Sequence, residues 1–214
     1  MRALTQNKTL LDQTYEALLE AICTGSIKAG ERLNQDEIAA RLSVSRQPVN
    51  SAIAMLKAQR FVNDTGRRGV VVAPIDRTIF ESIYTFRTAV EPLAVRLATG
   101  RLTRDAITLG RDVIERGKRQ VQAGERSAAL RCDIEFHNLI YTLSGNLIIS
   151  DTMSLNWRHL QRAMIEVLNV PGATLRVWKE HDEIFRSMVE GDAEGAAAMM
   201  HAHMINATLQ IPEE

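Results

Sequence analysis

Residues 35–53 read QDEIAARLSVSRQPVNSAI, and their pattern decides how the rest of the chain is read. Ile38, Leu42 and Val44 mark the apolar face of one short helix; Val49, Ala52 and Ile53 mark that of a second. Ala39 is small where two such helices would cross, and Ser43 falls at the turn between them. Ser45 is a good N-cap residue, and Pro48 stands in the first turn it opens, where a missing N–H costs little. The second helix presents Ser45, Arg46, Gln47, Asn50 and Ser51 outward. Short or forked hydrogen-bonding side chains of this kind suit phosphates and major-groove base edges. An ordinary pair of packed helices would share the apolar spacing, so the flanks carry the decision.

Downstream, Phe61-Val62 and Val70-Val71-Val72 enclose NDTGRRG. Two β-branched runs around such a turn predict a hairpin, with Arg67 and Arg68 at its tip between Gly66 and Gly69. A hairpin after a helix-turn-helix is a wing: its glycines let the backbone approach phosphates or the minor groove, and its arginines supply charge. Upstream, residues 9–24 show helical spacing through Leu10, Leu11, Tyr15, Leu18, Leu19 and Ile22, stopped at Gly25. Residues 29–33, AGERL, read as a turn into the first helix of the pair.

Charge is distributed to match. Formal net charge is zero over 214 residues, which by itself argues against a nucleic-acid binder. Residues 1–75 nevertheless carry a net +3 and residues 76–214 a net −3. Within 41–68, six basic residues face one acidic residue, Asp64. A basic N-terminal module on an acidic body permits local phosphate contact without a basic protein. The two cysteines, Cys23 and Cys132, have no metal or redox spacing, and reduced thiols are expected. The first residues, MRALTQNKTL, lack the apolar core of a signal peptide, and no apolar run approaches membrane-spanning length. A soluble, cytoplasmic protein is expected.

After Pro74, no stretch reads as a strand. Gly, Pro and Ser breakers divide the remainder into about six helices near 77–99, 103–122, 126–143, 146–168, 173–190 and 192–210, with Pro92 inside the first and Asp192 capping the last. The predicted fold is mainly α. A winged helix-turn-helix occupies residues 1–74, and an all-helical bundle occupies 75–214.

Within the bundle, Asp133 and His137 stand at i and i+4 among largely apolar neighbours. His181 lies with Val177, Ile184 and Phe185; His203 shares a stripe with Ala196, Met199, Met200 and Ala207. One Asp and three His from three helices could form a divalent-metal site with open positions; a surface hydrogen-bonded pair is the simpler reading of Asp133 and His137. His201 rivals His203, and His159 has basic neighbours that suit solvent. The methionines 153, 164, 188, 199, 200 and 204 read as core filler. Arg87, between Ile83, Phe86, Val90 and Leu93, needs an anion if it faces inward: either Glu91 at i+4 or a ligand carboxylate. The sequence contains no HExxH, paired CxxC, P-loop, GxGxxG or GxSxG motif.

These residues carry a resemblance. Residues 10–72 resemble the winged helix-turn-helix of the GntR family of bacterial transcription regulators, through Ile22-x-x-Gly25, Gly30-x-x-Leu33, Ile38-Ala39-x-x-Leu42, Val44-Ser45-Arg46-x-Pro48-Val49, Leu56 and Arg67-x-Gly69-x-x-Val72. Residues 77–210 resemble its FCD effector domain of the FadR/VanR type, through Arg87-x-x-x-Glu91, Asp133-x-x-Phe136-His137, Ser144-Gly145-Asn146, Glu180-His181-x-x-Ile184, Gly191-Asp192-Ala193 and Ala202-His203. The resemblance implies that Asp133, His137, His181 and His203 hold a metal, with zinc preferred over nickel or manganese, and that a small organic acid binds over it with Arg87 helping. It also favours His203 over His201. Two departures stand out. Asn50 and Asp36 occupy positions where relatives often have DNA-contacting arginines, and Ser43 replaces a turn glycine.

The function expected is a homodimeric, ligand-responsive regulator that binds a pseudo-palindromic operator in double-stranded DNA through Ser45, Arg46, Gln47, Asn50, Arg67, Arg68 and Gly69. It is not expected to be an enzyme. The rival readings are a metal-dependent enzyme, which lacks an assigned acid, base or nucleophile, and a sensor of the metal ion itself.

Overall fold

The computed structural model describes residues 8–66, 69–167 and 173–208. The chain forms two compact units, Met1–Ile75 and Asp76–Glu214. The first holds α1 (Leu10–Cys23), β1 (Arg32–Leu33), α2 (Gln35–Leu42), α3 (Arg46–Ala58), β2 (Val62–Asp64) and β3 (Val70–Val72). The second holds α4 (Arg77–Thr99), α5 (Arg104–Gln122), α6 (Arg126–Ser144), α7 (Leu147–Val167), α8 (Ala173–Val189) and α9 (Ala193–Thr208).

In the first unit, Thr9 starts α1 through a capping box with Asp12, and Asn34 caps α2 through the N–H groups of Asp36 and Glu37. Leu18, Leu19, Ile22, Ile38, Ala39, Val49, Ala52, Ile53 and Leu56 close one core with Leu33, Phe61, Val62 and Val72. The predicted hairpin is present: β2 pairs antiparallel with β3, Val62 opposite Val72. A third strand was not legible. Arg32–Leu33, read above as part of a turn, pairs with Val70 and Val71 at the other edge of β3. Two residues are too few for a period to declare itself, and the pairing is made by β3. The wing-tip positions Arg67 and Arg68 lie outside the described residues. Ser45 occupies the N-cap of α3 but makes no side-chain capping bond, a departure from its expected role.

The turn between α2 and α3 reverses through Ser43, whose φ of 54° and ψ of 42° place it in the left-handed region. Its N–H and that of Val44 bond back to the Ala40 and Ala39 carbonyls. A β-carbon in that conformation meets the following carbonyl, a strain that glycine lacks.

The second unit is an all-helical bundle in which α4 packs against α6, α7, α8 and α9. Asp76 caps α4 through Thr78 N–H, and the helix continues through Pro92. Its buried face is Phe80, Ile83, Tyr84, Arg87, Glu91, Ala94, Val95 and Ala98. Phe86 and Leu93, expected beside Arg87, are exposed instead, because i−1 and i+6 fall on other faces of a 3.6-residue helix. Helices α5 and α8 approach closely at Gly110 and Gly117: a β-carbon there would come within 2.1 Å of Phe185 and Trp178, respectively. Met153, Met188, Met200 and Met204 are core residues, and Met164 is half-buried; Met199 is exposed, contrary to the reading as filler.

Ser43→Gly is expected to stabilise the first unit by roughly 0.5–1 kcal/mol, since relief of left-handed strain exceeds the extra entropy glycine loses. Denaturant titration checks it; a midpoint unchanged or lowered contradicts the strain.

Candidate functional site

Val49, Ala52, Ile53 and Leu56 seat α3 on α1 and α2, and the same helical period leaves Ser45, Arg46, Gln47 and Asn50 exposed on one side. Gly69 takes φ 140°, and the Arg32 guanidinium lies against it. The structure therefore adds Arg32, from the unforeseen strand β1, to the foot of the wing. Arg46 does not stand alone: Asp36 of α2 accepts a hydrogen bond from its Nη2 at Oδ2, 2.6 Å, and sets Oδ1 2.5 Å from its Nε as an ion-pair contact.

In the bundle, the chemistry converges from five helices. Arg87 is buried, 1% exposed, and Glu91, one turn on along α4, is 0% exposed. Arg87 Nε donates to Glu91 Oε1, and the Tyr141 hydroxyl of α6 donates to the same oxygen at 2.7 Å. The guanidinium also lies over the rings of Tyr84 and Trp157, 5.1 and 4.5 Å from their centroids. The inward reading of Arg87 with Glu91 as its anion is thus the one realised. Burial alone would raise the Glu91 carboxyl, but Arg87 and His137 outweigh it and hold the carboxyl well below the usual range. Burial, with Glu91 beside it, pushes the Tyr141 hydroxyl well up, and burial pushes Tyr84 up to about 12.

His137, one turn before Tyr141 on α6, approaches Glu91 Oε2 with Nδ1 at 2.6 Å, though the contact is not aligned as a hydrogen bond. Its Nε2 lies 3.3 Å from Arg87 Nη2. His203 of α9 turns Nδ1 to Glu180 Oε2 of α8 at 2.6 Å, and Asn206 donates to the other Glu180 oxygen at 2.8 Å. Burial raises Glu180, but the His203 bond prevails and the carboxyl is lowered. A carboxylate only accepts, so His203 Nδ1 donates this bond, and the ring turns its Nε2 toward His181. That Nε2 stands 3.2 Å from His181 Nε2. Burial, together with His203 and His137, drives His181 well below its ordinary value, so its imidazole is neutral.

Ligand nitrogens of His137, His181 and His203 all lie within 4.8 Å of one another, and all three residues are buried. Asp133 reaches this set through His181, with Oδ1 3.5 Å from Nε2. Two donors on one ion at about 2.0–2.2 Å and a tetrahedral angle stand about 3.3–3.6 Å apart, so the 3.2 and 3.5 Å spacings suit a divalent cation. Carboxylates behind two of the imidazoles fit the outer partners that orient metal-binding histidines. Trp157 Nε1 and His181 Nδ1 are buried without a hydrogen-bond partner among the described residues. His201 is exposed whereas His203 is buried, and His159 is half-buried rather than solvated.

Sequence reasoning missed Tyr141, Trp157 and Glu180 as site residues. Tyr141 and Glu180 had a signal: each is one helical step from an expected ligand. Trp157, on a separate helix, had none.

Stability in ion-free protein should fall on acidification. Glu91 and His181 are both held below their ordinary values of 4.5 and 6.5, so the unfolded chain takes up protons first. The melting temperature is expected to be level above about pH 7, to decline below 6.5 and to drop steeply below 4.5. Glu91→Ala should cost about 3–5 kcal/mol by stranding Arg87. Calorimetry across pH on both proteins checks this; a melting temperature that rises toward acid contradicts it.

Two family models match the sequence: FCD domain, over residues 82–206, and bacterial regulatory proteins, gntR family, over residues 10–72. The chain is 25% identical over 196 residues to the HTH-type transcriptional regulator YdhC of Bacillus subtilis, covering 89% of this chain and 86% of that one. It is 36% identical over 121 residues to the Nta operon transcriptional regulator of Aminobacter aminovorans, covering 56% of each. Its fold is similar to that of McbR/YncC of E. coli, with a TM-score of 0.79 over 94% of this chain and 97% of that one at 20% identity. These relatives are named as regulators, and none as an enzyme. With an exposed helix-turn-helix face in one unit and a buried polar centre in the other, the chain belongs to the GntR family of bacterial regulatory proteins and is a DNA-binding transcription regulator with an FCD effector domain.

Proposed function

We propose that this regulator binds a pseudo-palindromic operator as a homodimer and that a small organic acid, bound at a divalent-metal site in the FCD domain, modulates that binding. The observation that carries the reading is the convergence of three buried imidazoles with Asp133 at its edge. His137, His181 and His203 would hold the ion, with Asp133 beside them. When bound, the ion supplies open positions to a carboxylate. The donor set suits zinc, nickel or manganese. Glu91 and Glu180 orient two of the imidazoles, and Arg87 lends a positive charge next to His137. Exposed Phe86 and Leu93, on α4, offer an apolar face for the second subunit. The cytoplasm is where such a regulator would act; no described helix is long and apolar enough to cross a membrane.

One observation favours a second reading. Arg87 Nη2 already touches the nitrogen through which His137 would bind an ion, and a guanidinium repels a cation. A carboxylate could then bind to Arg87 directly, with the imidazoles as neutral partners. Elemental analysis separates the two. Purified protein is expected to contain about one divalent ion per chain; His137→Ala should lose it, and a chelator should lower the melting temperature of the parent only. Ion-free protein whose melting temperature ignores zinc, nickel and manganese would leave the direct reading.

On the DNA side, Arg46→Ala is expected to weaken operator binding by about 1–3 kcal/mol. Replacing Arg67 and Arg68 together should weaken all sequences alike and lower the salt slope by roughly one unit per lost phosphate contact. Titrations against operator and unrelated duplex at several salt concentrations test both; unchanged operator affinity in Arg46→Ala removes that residue from the interface.

A further inference from the structure

The Arg46–Asp36 pair sits on the exposed side of the helix-turn-helix, with both side chains 62% exposed. A solvated ion pair of this kind contributes little to stability, and Asn34 already caps α2 through backbone N–H groups, so the Asp36 carboxylate is not needed as the cap. Its geometry is more specific than a chance surface contact. The carboxylate lies along the side edge of the guanidinium: Oδ2 accepts from Nη2 at 2.6 Å, and Oδ1 stands 2.5 Å from Nε. The end edge, Nη1 with the second hydrogen of Nη2, has no hydrogen-bond partner among the described residues. Two parallel N–H groups on that edge match guanine O6 and N7.

We infer that Asp36 is a specificity-determining positioning residue: it fixes Arg46, at the start of the recognition helix, as a reader of guanine rather than a phosphate contact. The inference rests on the DNA-binding reading above. Two consequences of the pair support it. A carboxylate cancels the guanidinium charge, which weakens non-directional attraction to phosphate. It also biases a long side chain toward one orientation before binding, so less rotamer freedom is lost when the base is met. Lys57 shows the same local restraint, since it is paired with Asp64; two of the six basic residues in 41–68 are therefore matched within the domain. Phosphate attraction is held down where base reading is to dominate.

The test uses the full chain. A random duplex pool selected with the parent protein gives the preferred site, and each base pair of a half-site is then varied. The parent should discriminate by about five- to 150-fold at one guanine. In Asp36→Ala that discrimination should fall to a few-fold at that position alone, while affinity for unrelated duplex holds or rises. Adding Arg46→Ala to Asp36→Ala should change that position little further. Asp36→Asn, which keeps a polar group at the same place, decides the matter should the alanine variant fold poorly by melting temperature. Full base preference retained in a folded Asp36 variant, or an equal loss of affinity for every sequence, overturns the inference. A parent protein that selects no site from the pool defeats the DNA-binding reading itself, a result distinct from either.

Discussion

The buried ion pair of Arg87 and Glu91 sets the terms for the effector domain. Removing a guanidinium and a carboxylate from water is costly, and their mutual attraction offsets the cost only when the remaining hydrogen-bonding capacity is met. Here several helices contribute at once, with a hydrogen bond at one carboxylate oxygen and only a close imidazole contact at the other. Tyr141 donates to one carboxylate oxygen, His137 crowds the other, and Tyr84 and Trp157 lie against the guanidinium. A shift of α6 or α7 relative to α4 would strand a charge, so the pair selects one arrangement of these helices among those an apolar core alone would tolerate.

The same carboxylate then shapes the chemistry beside it. Glu91 stands beside His137 as Glu180 stands beside His203, and the Glu180 bond turns His203 Nε2 toward His181. His181 has no such backing: it is stacked on Phe136 at 4.2 Å and edge-on to Trp178, so packing orients it. Trp178 in turn is seated on Gly117, where no side chain would fit. The position of one imidazole thus traces to a glycine on a helix that contributes no polar group. A ligand bound at this centre, as proposed, would act on five helices together. It would alter DNA binding only by preferring one arrangement of them over another.

The DNA-binding unit follows a different economy. Its net charge is small, and some of its cations are tied to carboxylates of the same unit. Weak general attraction to phosphate leaves more of the affinity to directional contacts, which is where sequence discrimination resides. The cost of the turn that presents α3 is carried at Ser43, a non-glycine residue in the left-handed region.

Much of this was legible in the residues. Apolar periodicity located each α-helix, and the breakers located their ends; the β-branched runs about NDTGRRG announced the wing. His137, His181, His203, Asp133 and Arg87 were all singled out, since a titratable group on an apolar stripe must find partners once buried. These are local signals, fixed by spacing along one helix or strand. What stayed hidden depends on spacing between elements. Strand β1 exists because β3 offers it an edge. Trp157 reaches Arg87 from another helix, Asp36 meets Arg46 across a turn, and His203 rather than His201 faces the centre because α9 is rotated that way against α4 and α8. Each is a choice among partners that sequence places at similar odds, and only three-dimensional packing, with its requirement that every buried charge be matched, decides between them.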